Sequence, residues 1–377
     1  MKTHIVQVIT ELEPAGAERV LADLSLELKK RNYAVSVVSL QSEPEVKTIL
    51  NILRAENIPV YCLNVTKLTP WRIFRLRKII KDIKRNNVSS PLIVHSHLMH
   101  ANLACRIVKI SDFKFPLINT VHIAEKRGSH FLFFLMDKLS YRFCDICTAV
   151  SKSAAKWHAL KLGISPDSIK ITYNGINFPK KISIENRKTL LKSWGLEKCK
   201  KLIGSVGRLD YQKGYDLFFK ILPDLSKKIP ENEIWGVVIL GEGKQRSTLE
   251  AIEKTVPPNI KVIMPGYRED AAECIGAFDL FVMPSRYEGF SLTLIEAASS
   301  GIPLLISDEA DAMEEIVKYA KNWQKTNFTN ITKTTEKLIE LLRKAPEDND
   351  ICNLSVAKMT DAYLNIYNSL LLLPQKY

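Results

Sequence analysis

Nowhere in its 377 residues does this chain have an apolar run near the roughly 18 residues a membrane-crossing helix needs. Its start, MKTHIVQVIT, reads as a polar-interrupted strand and not as a secretory signal. It has no GxxxxGK[ST] phosphate loop, no HExxH zinc motif and no complete GxGxxG, since Gly241-Glu-Gly243 lacks the third glycine. No repeat of ~20–50 residues and no low-complexity tract is present, which excludes solenoids and propellers. Cysteines are few and odd in number: seven, scattered at 62, 105, 144, 147, 199, 274 and 352. That pattern argues against a secreted disulfide framework and for a reducing cytosol. Cys144-Asp-Ile-Cys147 is a lone CxxC with no second pair, expected to be ordinary buried thiols around a strand. Acidic residues are short as well, 41 Asp+Glu against 54 Lys+Arg, for a net +13. The shortage is local: residues 1–177 hold 26 basic and 14 acidic side chains, whereas the other 200 hold 28 and 27. Such a surplus suits an anionic partner, whether nucleic acid, a membrane surface or a phosphorylated small molecule.

The rest of the composition is globular, with 46% hydrophobic and 25% charged residues. Apolar runs of strand length recur at 4–10, 34–40, 58–64, 91–97, 116–122, 146–151 and 169–175, then at 202–207, 235–241, 260–266, 279–285 and 302–307. Helical periodicity fills most gaps, as in ERVLADLSLELKK and YDLFFKILPDLSKKI. Strand and helix alternating over the whole length predict parallel α/β sheets, and twelve strands favour two sheets over one. The polar, basic stretch NGINFPKKISIENRK marks the break. The expected domains are 1–177 and 178–352, each doubly wound and Rossmann-like. A last helix within 353–377 carries Tyr363, Ile366, Tyr367, Leu370 and Leu371 on one face and packs back on the first domain. Ligands of open parallel sheets bind beyond the carboxyl ends of the strands, so two such domains predict a central cleft.

Residues just after the strands fit that expectation. LIGSVG runs into RLDYQKGYDL, which sets Arg208 and Lys213 before a helix opening near Tyr215. Two cations at a helix N-terminus form an anion cradle, although a solvated basic loop has the same composition. DLFVMPS runs into RYEGFSLTLIEAASSGIP, with Glu288 in the loop and Glu296 eight residues on. Between them lie Gly289, Phe290, Ser291 and Leu292, at the start of a helix spanning 291–300. Gly289 permits close backbone approach, Ser291 is placed as N-cap, and the free N–H groups behind it suit a pyrophosphate. Glu296, one turn inside, suits vicinal ribose hydroxyls, and Glu288 suits hydroxyls beyond the phosphates.

The stretches GSVGRLDYQKGYDL, VVILGEG, GYREDAAECIGAFDLFVMPSRYEGFSLTLIEAASSGIPLL and DICTAVSKSAAKWHALKLGISPDSIKITYNGIN resemble retaining glycosyltransferases of family 4, of GT-B fold. The Glu-x7-Glu pair downstream of the Arg/Lys loop is the most specific part, and the resemblance covers about residues 1–307. It implies an α/β fold of two doubly wound Rossmann-like domains facing a central cleft. It implies a nucleotide-sugar donor on the second domain, an acceptor on the first, retention at the anomeric carbon, no cofactor and no obligatory metal. In that frame Arg208 and Lys213 neutralise the leaving diphosphate, Glu288 holds the donor sugar, Glu296 holds the ribose, and Gly266 and Tyr267 line the base pocket. On the first domain, TELEPAGAER keeps Gly16 at the phosphate-facing turn, with Ala15 where the family usually has a second glycine. His97 and His122, at the ends of PLIVHSH and PLINTVH, fall near sugar and acceptor, with Glu125 as an alternative contact. EADAMEEIV, after IPLLISD, lacks the glycine the family usually has there, which puts donor contacts from that loop in question. The His95-Ser-His97-Leu-Met-His100 cluster has no carboxylate or thiol at ligand spacing and is not read as a metal site. Asp348-Asn-Asp350 reads as a turn.

Between 67 and 85, KLTPWRIFRLRKIIKDIKR carries eight basic residues against one Asp. At helical spacing Ile73, Leu76, Ile80 and Ile83 form an apolar stripe, and Arg72, Arg75, Lys78, Lys81 and Arg85 line the other side. A core helix with a solvated basic face and a helix docked on anionic lipid both fit. The Phe131–Met136 run (FLFFLM) is too apolar for one helix face, so core packing and contact with lipid or a lipid-linked acceptor are both open. The expectation is a glycosyltransferase that moves a sugar to a cell-envelope glycan or lipid-linked acceptor, building lipopolysaccharide, capsule or a lipid-linked oligosaccharide, and is peripheral on the cytoplasmic face of the plasma membrane. The alternatives are a nucleotide-sugar epimerase on the same fold and, in another class, a basic nucleic-acid binder. The binder would need an aromatic-lined groove or a recognition helix, and neither is evident, so no nucleic acid is expected.

Overall fold

Each of the twelve apolar runs contains a strand, and the strands form two separate parallel sheets. The computed structural model describes residues 3–86, 90–111, 115–122 and 131–372, without the side chains of 131–133. Glu125 lies outside the described residues, as do the side chains of Phe131, Leu132 and Phe133.

The first unit comprises Met1–Asn177 and Asn353–Tyr377. Its strands are β1 (His4–Ile9), β2 (Ala34–Ser39), β3 (Val60–Cys62), β4 (Leu92–His97), β5 (Leu117–Val121), β6 (Ile146–Ala149) and β7 (Lys170–Ile171), in the order β3-β2-β1-β4-β5-β6-β7. The order reverses between β1 and β4, where ligands of doubly wound sheets bind. β1, β4 and β5 are buried along their whole length, so polar residues within them need partners there. The helix Val356–Leu372 belongs to this unit. Tyr363 and Tyr367 pack against His95, and Arg31, which caps the C-terminus of the helix Gly16–Lys30, pairs with Asp361 at 2.5 Å. A Cβ at Gly175 would sit 2.2 Å from the Ser355 carbonyl, so only glycine lets the returning chain cross there.

Cys147 is buried in β6 and Cys144 is half-buried. Burial pushes the Cys144 thiol up to about 11 and Cys147 well above its usual range, which makes both inert as nucleophiles. Nearby, the fully buried Arg106 pairs with Asp137 and donates to Asn119 Oδ1 at 2.6 Å, which fixes the helix Phe131–Ser140 to β5.

The second unit is Phe178–Cys352. Its strands are β8 (Lys201–Val206), β9 (Trp235–Leu240), β10 (Ile260–Gly266), β11 (Leu280–Met283), β12 (Leu304–Ser307) and β13 (Trp323–Thr326), in the order β10-β9-β8-β11-β12-β13. β13 has no counterpart among the sequence runs. WQKT is a polar edge strand that pairs only with β12, and little of it is apolar. The switch point falls between β8 and β11, so the loops after those two strands come to lie side by side.

Candidate functional site

In the second unit the β8 and β11 loops meet. The chain leaves β8 through Gly207 and Arg208. It makes one 3-10 turn, Tyr211–Lys213, and enters the helix Tyr215–Phe219 through Gly214. Gly214 has φ +68°, and a Cβ there would lie 2.2 Å from the Pro284 carbonyl, so the two loops touch backbone to backbone. Asp210 caps the turn by accepting from the Lys213 N–H at 3.3 Å, and its other oxygen pairs with Arg208 at 3.3 Å.

Across this contact Lys213 Nζ donates to Glu288 Oε1 at 2.7 Å, and Ser285 Oγ donates to the same oxygen at 2.8 Å. The lysine side chain is 14% exposed and the glutamate 7%. A pair this desolvated interacts far more strongly than a surface pair, and removing one partner strands a buried charge. The Arg208 side chain is 64% exposed, so a ligand can reach it. Gly289, Phe290, Ser291 and Leu292 are buried and lead into the helix Leu292–Ser299. Ser291 is its N-cap, its hydroxyl accepting from the Leu294 N–H at 3.3 Å. Glu296, 2% exposed, lies inside that helix. Gly266 has φ +93° and its carbonyl accepts from the Gly241 N–H at 2.9 Å, which joins the β10 and β9 loops; Tyr267 beside it is exposed.

The two loops are further stitched by residues the sequence did not single out. Arg286 forms two bonds to Asp216, 2.8 and 2.7 Å, and donates to the Tyr211 carbonyl at 2.8 Å. Gln212 Nε2 donates to the Tyr287 carbonyl at 3.0 Å. Burial works against the Asp216 charge, yet the Arg286 hydrogen bonds hold its carboxyl below the usual range.

In the first unit Gly16 opens the helix Gly16–Lys30, and Ala15 before it is extended, with φ −143°, a conformation that alanine adopts without strain. His97 and His122 are in contact. His97 Nδ1 is 2.9 Å from His122 Nε2, and His97 Nε2 is 2.8 Å from Gln7 Oε1. With the Gln7 carbonyl accepting, His97 carries its proton on Nε2 and accepts at Nδ1 from His122. That leaves the lone pair of His122 on its own Nδ1. His95 lies between Tyr367 Oη (2.8 Å) and Thr120 Oγ1 (2.7 Å). Burial pushes His95 and His122 down to about 3 and His97 well below its usual value, so the trio is neutral at pH 7. A neutral His122 offers a hydrogen bond and no positive charge. Leu98, directly after His97, has φ +71° and ψ 156°, a strained conformation for a bulky residue and one that clusters at functional turns. Gln7 was visible in the sequence as the polar break in HIVQVIT. Among the described residues, no group of three or more His, Cys, Asp or Glu is arranged to hold a metal ion.

On the helix Phe74–Asn86, Leu76, Ile80 and Ile83 are buried, while Arg75, Lys78 and Arg85 are exposed and Lys81 is half-buried. Arg72 instead turns back to the Asn64 carbonyl at 2.8 Å. Leu68, Trp71 and Phe74 are exposed just ahead of the basic row. No helix among the described residues is long and apolar enough to cross a membrane.

Comparison with known proteins joins these sites to a family. Residues 14–178 match the model described as Glycosyltransferase Family 4, and residues 186–353 match that of Glycosyl transferases group 1. The chain is 27% identical over 307 residues to the UDP-Gal:alpha-D-GlcNAc-diphosphoundecaprenol alpha-1,3-galactosyltransferase of Escherichia coli, covering 78% of this chain and 76% of that one. It is also 27% identical to the Campylobacter jejuni GalNAc-alpha-(1->4)-GalNAc-alpha-(1->3)-diNAcBac-PP-undecaprenol alpha-1,4-N-acetyl-D-galactosaminyltransferase, over 82% of this chain and 81% of that one. Its fold superposes on the Anabaena HepE structure in complex with UDP-glucose with a TM-score of 0.73, at 18% identity over 97% of this chain and 99% of that one. The chain is a glycosyltransferase of GT-B fold and belongs to family 4, the group 1 glycosyl transferases.

Proposed function

We propose that this enzyme takes a nucleotide-sugar on its second unit and transfers the sugar, with retention, to a lipid-linked or other cell-envelope glycan held by its first. The observation that carries the donor half is the buried Lys213–Glu288 pair between two strand-end loops, with exposed Arg208 beside it and the capped 292–299 helix behind. As the bond from the anomeric carbon to the diphosphate breaks, negative charge grows on the leaving oxygens. Arg208 and Lys213 stabilise that charge more in the transition state than in the ground state. Glu288 keeps one oxygen for sugar hydroxyls, and Glu296 takes the ribose. The diphosphate accepts the acceptor's proton, so no second carboxylate is required as in glycosidases. His122 accepts a hydroxyl hydrogen bond at Nδ1. The charges that meet the diphosphate are the protein's own, and no metal or cofactor is needed. Relatives that act on diphosphoundecaprenol-linked sugars support a lipid-linked acceptor. With the basic 74–86 helix, they support work at the anionic cytoplasmic membrane face.

Thermal-shift measurement against UDP-, GDP-, ADP- and dTDP-sugars tests the donor half. One nucleotide series should stabilise the protein, by about 2.7 kcal/mol at a hundredfold excess over Kd. No shift with any of the four would overturn it. Product anomeric configuration, read by NMR, tests retention, and full activity in a chelator tests metal independence.

A further inference from the structure

Lys213 and Glu288 come from loops 75 residues apart in sequence, and the geometry between those loops points to a device that holds them in register. We propose that Asp216 and Arg286 form a positioning staple that locks the 211–216 and 284–288 segments together and so keeps Lys213 Nζ on Glu288; its consequence for turnover rests on the donor-site reading above.

The bonding is directional. The guanidinium of Arg286 meets Asp216 Oδ1 at 2.8 Å and Oδ2 at 2.7 Å, as a planar fork meets a carboxylate. The same Nη1 reaches the Tyr211 carbonyl at 2.8 Å, and the guanidinium carbon lies 4.0 Å from the Tyr211 ring centroid. Tyr211 opens the turn that ends in Lys213, so the contact fixes the start of that turn. The Arg286 N–H donates to the Gln212 carbonyl at 2.8 Å, and the Gln212 side chain returns to the Tyr287 carbonyl at 3.0 Å. One side chain thus grips both ends of the segment that carries Lys213, and its own backbone lies two residues from Glu288. The pair is 14% and 23% exposed, shielded enough for its geometry to matter. Lysine in place of Arg286 keeps the charge but cannot hold both carboxylate oxygens and the Tyr211 carbonyl together.

The test compares Arg286→Lys and Asp216→Asn with the parent in two measurements. The first needs no donor: reductive methylation of lysines, followed residue by residue by mass spectrometry, with the exposed Lys192 and Lys244 as references. Releasing the staple should raise the Lys213 rate at least about threefold while the references and Tm hold. An unchanged Lys213 rate in both variants overturns the proposal, and so does an equal rise at all three lysines, which would mean general loosening. The second is steady-state transfer with the nucleotide-sugar found by thermal shift. There kcat should fall about 10- to 100-fold with donor KM within about threefold, because misplacement by fractions of an ångström harms the transition state most. Selective Lys213 exposure in a protein that turns over no nucleotide-sugar would leave the staple standing and sink the donor reading. Normal donor turnover by the parent with unchanged Lys213 labelling would do the reverse.

Discussion

The two units share a fold and almost nothing of their chemistry. All seven histidines lie in the first unit, and none lies in the second. Of the fifteen glycines, eleven lie in the second. The first unit holds 28 basic and 15 acidic residues, so the whole +13 belongs to it; the second holds 26 of each. These differences track two ways of building a site. The second unit brings its loops together backbone to backbone, which needs glycine at Gly214, and sets a few cations by ion pairs that cancel in the total. The first unit lines its switch point with imidazoles kept neutral by burial and wears its charge on the outside. Placed charges in a neutral domain suit a compact anion such as a diphosphate, and an unplaced surplus suits a broad anionic surface.

Acid should separate the units most sharply. His4, His95, His97, His122 and His158 are all lowered by burial. A histidine with a depressed folded pKa contributes stability that is full above about 6.5 and is lost as pH falls toward the folded value, because the unfolded chain takes up the proton first. For His95 and His122, both near 3, the loss between pH 7 and 5 is about 2 kcal/mol each. Asp23, raised to about 6 by burial, acts the other way and returns about 1 kcal/mol. Hydrogen exchange corrected for intrinsic rate should therefore show β4 and β5 losing protection at pH 5 while β8 and β11 keep theirs. Equal loss in both units would break the contrast.

The carboxylates of the second unit come next. Glu296→Ala should lower transfer at least about 100-fold, near 2.7 kcal/mol, with both units still folded by circular dichroism. The shape-keeping Glu296→Gln should recover little, because the hydroxyls need a full acceptor pair. Full activity in either variant would remove Glu296 from the donor site.

How much of this was legible in the sequence depends on the range of the interaction. The strands were, because each is a local apolar run; β13 was not, because WQKT earns its place by pairing with β12. Arg208, Lys213, Glu288 and Ser291 could be found from their positions just after strands, beside glycines. Gln7 was half-legible, a polar residue in a strand that turns out to be buried on every side. Asp216 and Arg286 lie 70 residues apart, and their pairing follows only once β8 is known to neighbour β11. Arg72 resembled its neighbours on the basic face, and only the path of the preceding loop reveals that it caps the Asn64 carbonyl.

The commitment of Arg72 to the Asn64 carbonyl bears on what the surface charge meets. If the surplus meets anionic lipid, the residues that matter are those facing outward on the 74–86 helix, and Arg72 is not among them. Lys78→Gln with Arg85→Gln should weaken binding to vesicles containing phosphatidylserine by about 2 kcal/mol, roughly 30-fold, at low salt. Arg72→Gln should do less to binding, since its guanidinium is committed to the loop. Neither change should alter hydrolysis of a free nucleotide-sugar, because the proposed donor residues lie in the second unit. Trp71 and Phe74, exposed beside the basic row, would give lipid an apolar contact that a duplex backbone would not use. Trp71→Ala should therefore weaken vesicle binding and leave any binding to DNA unchanged. Equal weakening on vesicles and duplex DNA by the double variant, with Trp71→Ala silent on both, would turn the first unit's surplus into a general polyanion surface and end the lipid reading.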